Sequence, residues 1–355
     1  MLPAAEAYYE LVSGRRPGLA AALLRGALAV AEVPYAAAVR WRNRRFDRGW
    51  ATMHRVPVPV VSVGNLTLGG TGKTPLVEWI AREFRRHGIG VAVVSRGYGA
   101  AAGTRNDEAL ELARRLPDVP QLQDPDRVAA AERAIEQFHS QVILLDDAFQ
   151  HRRIARDLDI VVLDAVEPFG FGRVFPRGTL REPVSGLQRA DLLVLSRADM
   201  AAADRRADIR RTALAHARRA GWVECCHAPV ALVNDGGDES PVAALSGQPV
   251  AAFCGLGNPA GFRHSLAACG LEPVAFRAFP DHHPYRREDL AALADWGREH
   301  SAEALVCTCK DLAKLRVDRI GDHPLWALRV ALEILDGEDQ LLGGLRRLPL
   351  PWQYG

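Results

Sequence analysis

The chain has 355 residues, which is long enough for two domains of ordinary size. Its formal net charge is only +2, so charge gives no support for a nucleic-acid partner. None of its six cysteines forms a C-x-x-C pair, which argues against a zinc site. We expect buried thiols in a reducing compartment.

The N-terminal segment is apolar and then basic. Residues 18–39 are rich in Ala, Leu and Val, with Arg25, Glu32 and Pro34 among them. An arginine cluster with two tryptophans follows: Arg40, Trp41, Arg42, Arg44, Arg45, Arg48 and Trp50. This pattern favours an amphipathic helix at an anionic membrane surface over residues 1–50, rather than a signal peptide or a regular spanning helix. The alternative is an Ala-rich helix packed on the protein body, with its arginines in solvent.

A glycine-rich run follows the apolar strand predicted at 58–63 and precedes a helix predicted at 76–87. The run consists of Thr67, Leu68, Gly69, Gly70, Thr71, Gly72, Lys73 and Thr74. Backbone N–H groups of such a loop surround phosphate oxygens, and the helix N-terminus adds partial positive charge. We expect Lys73 to reach the β- and γ-phosphates and Thr74 to bind Mg²⁺. Because Thr67 stands where this motif usually has glycine, a simple Gly-rich turn is the alternative.

The rest of the chain predicts an α/β fold. A helix is expected at 127–138, and strands are expected at 90–95, 142–145, 160–163 and 192–195. This alternation predicts a P-loop NTPase-like parallel sheet sandwiched by helices over 51–229. The segments 67–74, 95–97, 146–147 and 164 all follow strands, so we expect them to converge. A second, smaller α/β domain is predicted over 230–355, with strands at 250–253, 273–277, 304–307 and 326–332.

Several polar groups are candidates for the chemistry. Asp146 and Asp147 end a buried strand, where a P-loop protein needs a carboxylate for Mg²⁺; a turn cap is the alternative. His151 could contact phosphate or orient a carboxylate, or it is an ordinary satisfied histidine. In the loop 177–183, arginines suit phosphate charge and Glu182 could be a further Mg²⁺ ligand. Spacing alone favours an exposed salt-bridged loop there.

Two further acidic motifs lie in polar loops. Asp107 follows the loop 97–99 and is a candidate base for a hydroxyl acceptor. The run 279–284 contains Asp281 and His282, an adjacency that suggests a proton relay. A solvated polar loop is the alternative for both motifs, and spacing alone favours it.

Together these residues resemble the tetraacyldisaccharide 4'-kinases, the lipid A 4'-kinases of Gram-negative bacteria. The resemblance covers nearly the whole chain, and its most specific parts are Gly64-Asn65 through Pro75 and Ser95-Arg96-Gly97-Tyr98-Gly99. It extends to 107–108, 146–151, 180–183, 255–259 and 279–282. It implies transfer of the ATP γ-phosphate to the 4'-hydroxyl of a tetraacyldisaccharide 1-phosphate.

The resemblance also implies a place and roles. The N-terminal helix would anchor the protein at the cytoplasmic face of the inner membrane, where the glycolipid substrate lies; no obligate protein partner is evident. Asp107 would be the catalytic base, supported by His282 in a dyad that spans the two domains. Arg181 would contact phosphate, and Lys73 and Thr74 would keep their P-loop roles. Asp146 and Asp147 would lie beside Mg²⁺, and Glu182 would be a metal ligand.

The chain departs from the family pattern at Asn106, Ala148 and Cys309. The family has Gly at the first two positions and Glu at the third, and Ala148 would strain the backbone if it required a positive φ. Two other functions remain open. One is a GTPase or ATPase switch, since 195–199 faintly resembles a guanine-reading signature; the other is a soluble metabolite kinase, which leaves the N-terminal helix without a task.

Overall fold

The computed structural model describes residues 4–97, 107–281 and 283–352, with side chains for all of them except 4–6 and 107–110. Its helices are α1 (Ala4–Val12), α2 (Leu19–Asp47), α3 (Lys73–Arg86), α4 (Asp107–Arg115), α5 (Arg127–Phe138), α6 (Ala203–His216), α7 (Pro259–Ala268), α8 (Arg287–Glu299), α9 (Cys309–Leu315) and α10 (Glu338–Arg346). Its strands are β1 (Val60–Asn65), β2 (Val91–Ser95), β3 (Gln121–Gln123), β4 (Val142–Asp146), β5 (Leu158–Asp164), β6 (Leu192–Ser196), β7 (Gly221–Val233), β8 (Glu239–Ser240), β9 (Val250–Cys254), β10 (Ala275–Ala278), β11 (Ala304–Thr308), β12 (Arg319–Ile320) and β13 (His323–Asp336).

The chain forms two compact units whose boundaries differ from the predicted ones. Unit 1 takes its residues from Met1–Gly97, Asp118–Cys226 and Ile334–Gly355, and unit 2 takes its residues from Tyr98–Pro117 and His227–Glu333. Helix α4 belongs to unit 2 because it packs on α9 and because Arg115 donates to the carbonyl of Val330 at 2.9 Å. The C-terminal segment belongs to unit 1 because the side chain of Gln340 accepts from the Trp222 amide at 2.9 Å.

Unit 1 is built on a parallel sheet in the order β7-β6-β5-β1-β4-β2-β3. Every residue of β1, β4 and β6 is buried, as expected for a parallel sheet covered on both faces. The predicted strands and helices of this region are present, with shifts of a few residues at their ends. The predicted helix at 76–87 begins earlier, at Lys73, because the glycine-rich loop leads directly into its first turn.

Helix α2 continues through the arginine cluster to Asp47, well past the apolar segment. By length and composition it is apolar enough to cross a membrane, although only a small part of its apolar stretch is buried inside the protein. Its buried residues Ala21, Ala36 and Val39 face the body of unit 1. The helix therefore leaves much of its apolar surface uncovered.

Unit 2 contains the smaller α/β arrangement that the sequence predicted. Strands β10, β9, β11 and β13 run parallel in that order, and β12 and β8 add short antiparallel pairs with β13 and β7. Four of the cysteines are buried here and at the end of unit 1, and burial raises the pKa of the Cys225 and Cys254 thiols to about 12. The prediction of buried thiols is confirmed for these cysteines, while Cys269 and Cys309 are half-buried.

Candidate active site

The glycine-rich loop forms a backbone cradle between β1 and α3. Gly69 and Gly72 have φ values of 99° and 79°, a region that glycine enters without strain. Gly72 is the N-cap of α3, so Lys73 and Thr74 stand in the first turn of that helix. The unpaired amides and the partial positive charge of a helix start favour a phosphate at this position.

Two side chains hold the loop in place. The amide of Asn65 donates to the Thr71 hydroxyl at 3.1 Å, and both residues are buried. From the far side, Arg197 donates to the carbonyl of Gly70 at 2.9 Å and pairs with Asp164 at the end of β5. Sequence reasoning missed Arg197, although its place directly after β6 at the binding edge of the sheet was the available signal.

Asp147 connects the loop to two cations. Its carboxylate lies 3.3 Å from the Lys73 ammonium, and both of its oxygens accept from Arg181 at 2.9 Å. Burial would raise the pKa of this carboxyl, but Lys73 and Arg181 outweigh burial and hold the pKa well below its usual range. Asp147 is therefore ionised at neutral pH, and the structure brings together three groups that the sequence selected separately.

Arg181 reaches this position through backbone pairing. The amide of Arg181 donates to the carbonyl of Leu66, and the amide of Leu68 donates to the carbonyl of Thr179, both at 2.7 Å. Thr67 and Leu180 thus form an antiparallel bridge beside the glycine-rich loop. The segment is not the exposed salt-bridged loop that spacing alone favoured.

Glu182 is completely buried and saturated with hydrogen bonds. Its carboxylate is paired with Arg189 at 2.8 and 3.0 Å and accepts from the amides of Asn43 at 2.8 Å and Gln150 at 3.1 Å. These contacts indicate that Glu182 fixes the Arg181 segment to α2 and to the turn after β4. The metal-ligand role predicted for Glu182 stays a prediction. To bind Mg²⁺, its carboxylate would have to lose some of these hydrogen bonds.

The turn after β4 is held by arginines. Arg156 donates to the carbonyls of Ala148, Phe149 and His151, and the buried Arg127 donates to the carbonyl of Asp147 at 3.0 Å. Burial, followed by the charges of Arg127 and Arg156, lowers the pKa of His151 to about 4. His151 is therefore neutral at pH 7, and its buried Nε2 has no hydrogen-bond partner among the described residues.

Ala148 introduces no strain at this turn. The residue with a positive φ is Asp147, at 50°, whereas Ala148 is fully buried in the apolar core. A close approach occurs instead at Gly64, where an added Cβ would lie 2.5 Å from the Phe149 amide nitrogen. The family's glycine at position 148 is thus not required by backbone conformation in this chain.

The groups predicted to bind Mg²⁺ have suitable chemistry. Thr74 offers a hydroxyl oxygen, and Asp146 and Asp147 offer carboxylate oxygens at the end of β4. Among the described residues there is no cluster of three or more metal-ligating side chains. Mg²⁺ is usually held by one or two carboxylates together with substrate phosphates, so this donor set fits the ion.

The predicted catalytic dyad lies outside the part of the chain whose side chains are described. Asp107 begins α4, but its side chain is not described, and His282 lies outside the described residues altogether. Helix α4 and the neighbours of His282, Asp281 and His283, all belong to unit 2. The sequence instead predicted one partner on each domain, because it counted the segment around Asp107 with the P-loop domain.

The residues around that histidine form a dense network in unit 2. Asp281 pairs with Lys310 at 3.1 Å, and His283 stacks on Phe279 with ring centroids 4.7 Å apart. Beneath them the fully buried Asp311 accepts from the Tyr285 hydroxyl at 2.9 Å and from the Gly255 amide at 3.1 Å. Lys310 and Asp311 belong to the stretch in which Cys309 replaces the family's glutamate, and their contacts are intact.

Comparison with known proteins agrees with this geometry. A family model described as tetraacyldisaccharide-1-P 4'-kinase matches residues 24–347. A protein named tetraacyldisaccharide 4'-kinase from Anaeromyxobacter dehalogenans (strain 2CP-C) is 42% identical over 350 residues, covering 93% of this chain and 92% of the relative. One of the same name from Syntrophus aciditrophicus (strain SB) is 38% identical over 305 residues, covering 79% of this chain and 82% of the relative.

A solved structure extends the agreement to the fold. The crystal structure of "apo" form LpxK from Aquifex aeolicus in complex with ATP is 28% identical, with a TM-score of 0.72, and the match covers 91% of this chain and 99% of that one. The predicted fold class, a helix-covered parallel sheet with a glycine-rich loop, is confirmed by this match. The chain belongs to the tetraacyldisaccharide-1-P 4'-kinase family.

Proposed function

We propose that this protein transfers the γ-phosphate of ATP to the 4'-hydroxyl of a tetraacyldisaccharide 1-phosphate, a step of lipid A synthesis. Family membership supports the reaction, and the names of the relatives give the substrate class. The observation that carries the proposal is the meeting of Lys73, Arg181 and Asp147 at the start of α3. Two oriented cations beside a phosphate cradle are what transfer of a phosphoryl group needs.

At the ATP end, this chain's task is positioning and charge neutralisation. The loop amides and the α3 N-terminus bind the phosphates, and Lys73 is placed to stabilise the charge that spreads over the transferred group. Arg181 contributes a planar guanidinium that suits phosphate oxygens. Asp147 holds both cations beside the cradle, which orients their charges towards the phosphate position.

Mg²⁺ is the expected companion of ATP in this site. Thr74, Asp146 and Asp147 are the residues that would hold it, and the bound ion would supply further neutralisation of phosphate charge. His151, kept neutral by its surroundings, can donate or accept a hydrogen bond at its buried Nε2 without adding a charge. It therefore suits orientation of a ligand oxygen rather than charge neutralisation.

At the acceptor end, we assign proton removal to Asp107 with support from His282. The acceptor hydroxyl oxygen forms the new bond to the γ-phosphorus, the bond to the ADP oxygen breaks, and the hydroxyl proton passes to the Asp107 carboxylate. The sequence neighbours of His282 are anchored in unit 2, since Asp281 pairs with Lys310 and His283 pairs with Asp289, both at 3.1 Å. This role rests on the family resemblance.

The acylated substrate requires access to a membrane, and α2 has a suitable surface. Leu19, Leu23, Val30 and Val33 are between 67% and 78% exposed. Their spacing places them on one face of the helix, opposite the buried face. We propose that this face lies in the cytoplasmic leaflet of the inner membrane, with the arginines at its C-terminal end near anionic head groups.

The direct test is incubation with labelled ATP and the detergent-dispersed disaccharide lipid, followed by identification of the phosphorylated hydroxyl. Label on the 4'-hydroxyl supports the proposal. Hydrolysis without lipid, with GTP preferred, would instead indicate a nucleotide switch, and label on a water-soluble acceptor would indicate a metabolite kinase. Lys73→Ala should lower transfer strongly, while Arg82→Ala, an exposed change on the same helix, should leave it intact.

Membrane association has its own test. Val30→Gln combined with Val33→Gln should weaken co-sedimentation with phospholipid vesicles, because each change places a polar amide on the proposed buried face. Val166→Gln, a change of an exposed valine elsewhere in unit 1, is the matched control. Equal sedimentation of the double variant and the control would refute the placement of α2.

A further inference from the structure

A basic pocket lies at the C-terminal end of α2, apart from the glycine-rich loop and Arg181. Its volume is about 430 Å³. Its lining includes three arginines, two aromatic rings and a histidine: Arg42, Arg45, Phe46, Trp50, His54 and Arg153. We call this cavity the arginine pocket. The sequence pattern selected Arg42 and Arg45 only as part of a general basic surface and did not select Arg153, and the phosphoryl-transfer site makes no use of the three.

The backbone fixes the walls of the arginine pocket. The amides of Trp50 and Ala51 both donate to the carbonyl of Arg45, at 2.8 and 3.2 Å, which folds the chain back at the end of α2. The amide of His54 then donates to the carbonyl of Arg153 at 2.7 Å. These bonds bring Arg153 beside the helix end. The cations therefore converge because of main-chain structure rather than by chance orientation of long side chains.

The pocket carries uncompensated positive charge. Nearby Asp47 is paired with Arg152 at 2.8 Å, and Asp126 caps α5 while reaching Arg153 only at 3.6 Å. Within the described residues, Arg42 and Arg45 form no ion pair. The Nε of Arg42 is also buried and lacks a hydrogen-bond acceptor among those residues. A buried donor without an acceptor is costly, so an anion with several acceptor oxygens is the natural occupant.

The aromatic groups point to where that anion comes from. Trp50 is 62% exposed, and the Arg48 guanidinium lies 4.9 Å from its ring centroid. Trp41, which is also largely exposed, has Arg45 at 4.9 Å from its ring centroid. Tryptophan beside arginine is the composition that sits at the head-group level of a bilayer. The pocket thus combines arginines that suit a phosphate group with tryptophans that are typical of the membrane–water interface.

We propose that the arginine pocket binds a phosphate group, supplied by the head group of an anionic membrane phospholipid. Guanidinium groups match phosphate oxygens in geometry and charge, and a second contact at the end of α2 would fix the depth and rotation of the helix on the bilayer. The inference deepens the proposed membrane association of α2 and does not depend on the phosphoryl-transfer step.

The test is co-sedimentation of the full-length protein with phosphatidylcholine vesicles made with and without phosphatidylglycerol, in the absence of ATP and glycolipid. Arg42→Gln and Arg45→Gln should each weaken the phosphatidylglycerol-dependent binding by clearly more than about fivefold, because about fivefold is the loss expected for one basic residue at a charged surface without a specific site. Arg44→Gln is the matched control, because Arg44 is exposed on the same helix but does not line the pocket. The control should lose clearly less.

Three outcomes decide the matter. Loss of vesicle binding in the pocket variants, with a clearly smaller loss in Arg44→Gln, supports a lipid head group in the pocket. If the pocket variants bind the vesicles as the wild type does but bind inorganic phosphate more weakly in a titration, the site takes free phosphate and the lipid assignment is overturned. Equal loss in Arg44→Gln overturns the pocket, because binding is then a diffuse effect of charge. The kinase assay on detergent-dispersed lipid judges the proposed reaction separately.

Discussion

Removal of Arg189 should destabilise unit 1 through the charge that it leaves behind on Glu182. Glu182 is fully buried, and Arg189 binds both of its oxygens while also lying 4.3 Å from the Phe149 ring centroid. Arg189→Met removes the guanidinium but keeps an apolar stem against that ring. The perturbation therefore isolates the ion pair from the packing of the side chain.

The size of the effect follows from the contacts that remain. Breaking one partner of a buried ion pair costs about 3–5 kcal/mol. Asn43 and Gln150 still donate to the carboxylate in the variant, so we expect a loss near the lower end, about 3 kcal/mol. For a unit of this size, that corresponds to a fall in the melting temperature of about 6–12 °C.

Thermal unfolding followed by circular dichroism in the purification detergent measures this loss. Arg211→Met is the control, because Arg211 forms an exposed pair with Asp208 whose removal should change the free energy of unfolding by less than about 0.5 kcal/mol. Combining Arg189→Met with Glu182→Met should recover stability relative to the single variant, since no charge then remains buried. If Arg189→Met unfolds at the same temperature as the Arg211→Met control, the reasoning is refuted.

Four other substitutions test the site and its surroundings. Lys73→Ala should lower turnover by about 10²–10³-fold, as expected for loss of one charge-stabilising group. Asp107→Ala should also lower turnover, but a titration should show that it still binds ATP. Parallel loss of ATP binding would contradict the role of Asp107 as base. The pKa of His151 is about 4 in the folded chain rather than 6.5, so the unfolded chain binds a proton preferentially. The free energy of unfolding should therefore fall as the pH drops from about 6.5 towards 4. The same pH profile measured for His151→Gln should lack that part of the fall. Tyr285→Phe should cost about 1–3 kcal/mol in denaturant unfolding, because the buried Asp311 loses a donor; a variant as stable as wild type would show that the bond adds nothing.

The elements that the sequence predicted well are those whose surroundings are uniform. Strands β4 and β6 are buried along their whole length, so they appear as unbroken apolar runs. Strand β7 was not predicted, because it contains Glu224 and a Cys-Cys-His run and is buried at some positions but half-buried at others. Only its first residues, 221–224, pair with β6, and such pairing leaves no local signal in the sequence.

The residues of the site likewise fall into those that the sequence predicted and those that it did not. The strand-end rule correctly predicted that the glycine-rich loop and the carboxylates after β4 would meet, and Lys73 does contact Asp147. The arginines that hold this assembly were not predicted. Arg197 donates to the carbonyl of Gly70, which lies 127 positions away in the sequence. Arg156 also donates to main-chain carbonyls, and no residue type marks such acceptors in a sequence. Short motifs show which groups meet ligands, but the groups that orient them are selected by tertiary contacts.

Helix α2 both provides the proposed membrane surface and holds the segment that carries Arg181. The sequence favoured a membrane element over a helix packed on the protein body, yet Tyr35 donates to the carbonyl of Arg181 and Asn43 donates to Glu182, while Glu32 accepts from the Val174 amide. The helix therefore also supports the segment that places Arg181 beside Asp147. Deleting residues 1–50 would remove these bonds along with the apolar face, so loss of activity in such a truncation cannot be assigned to loss of membrane contact. Substitutions confined to the exposed face separate the two effects, because Val30 and Val33 lie on the side of the helix away from its buried residues.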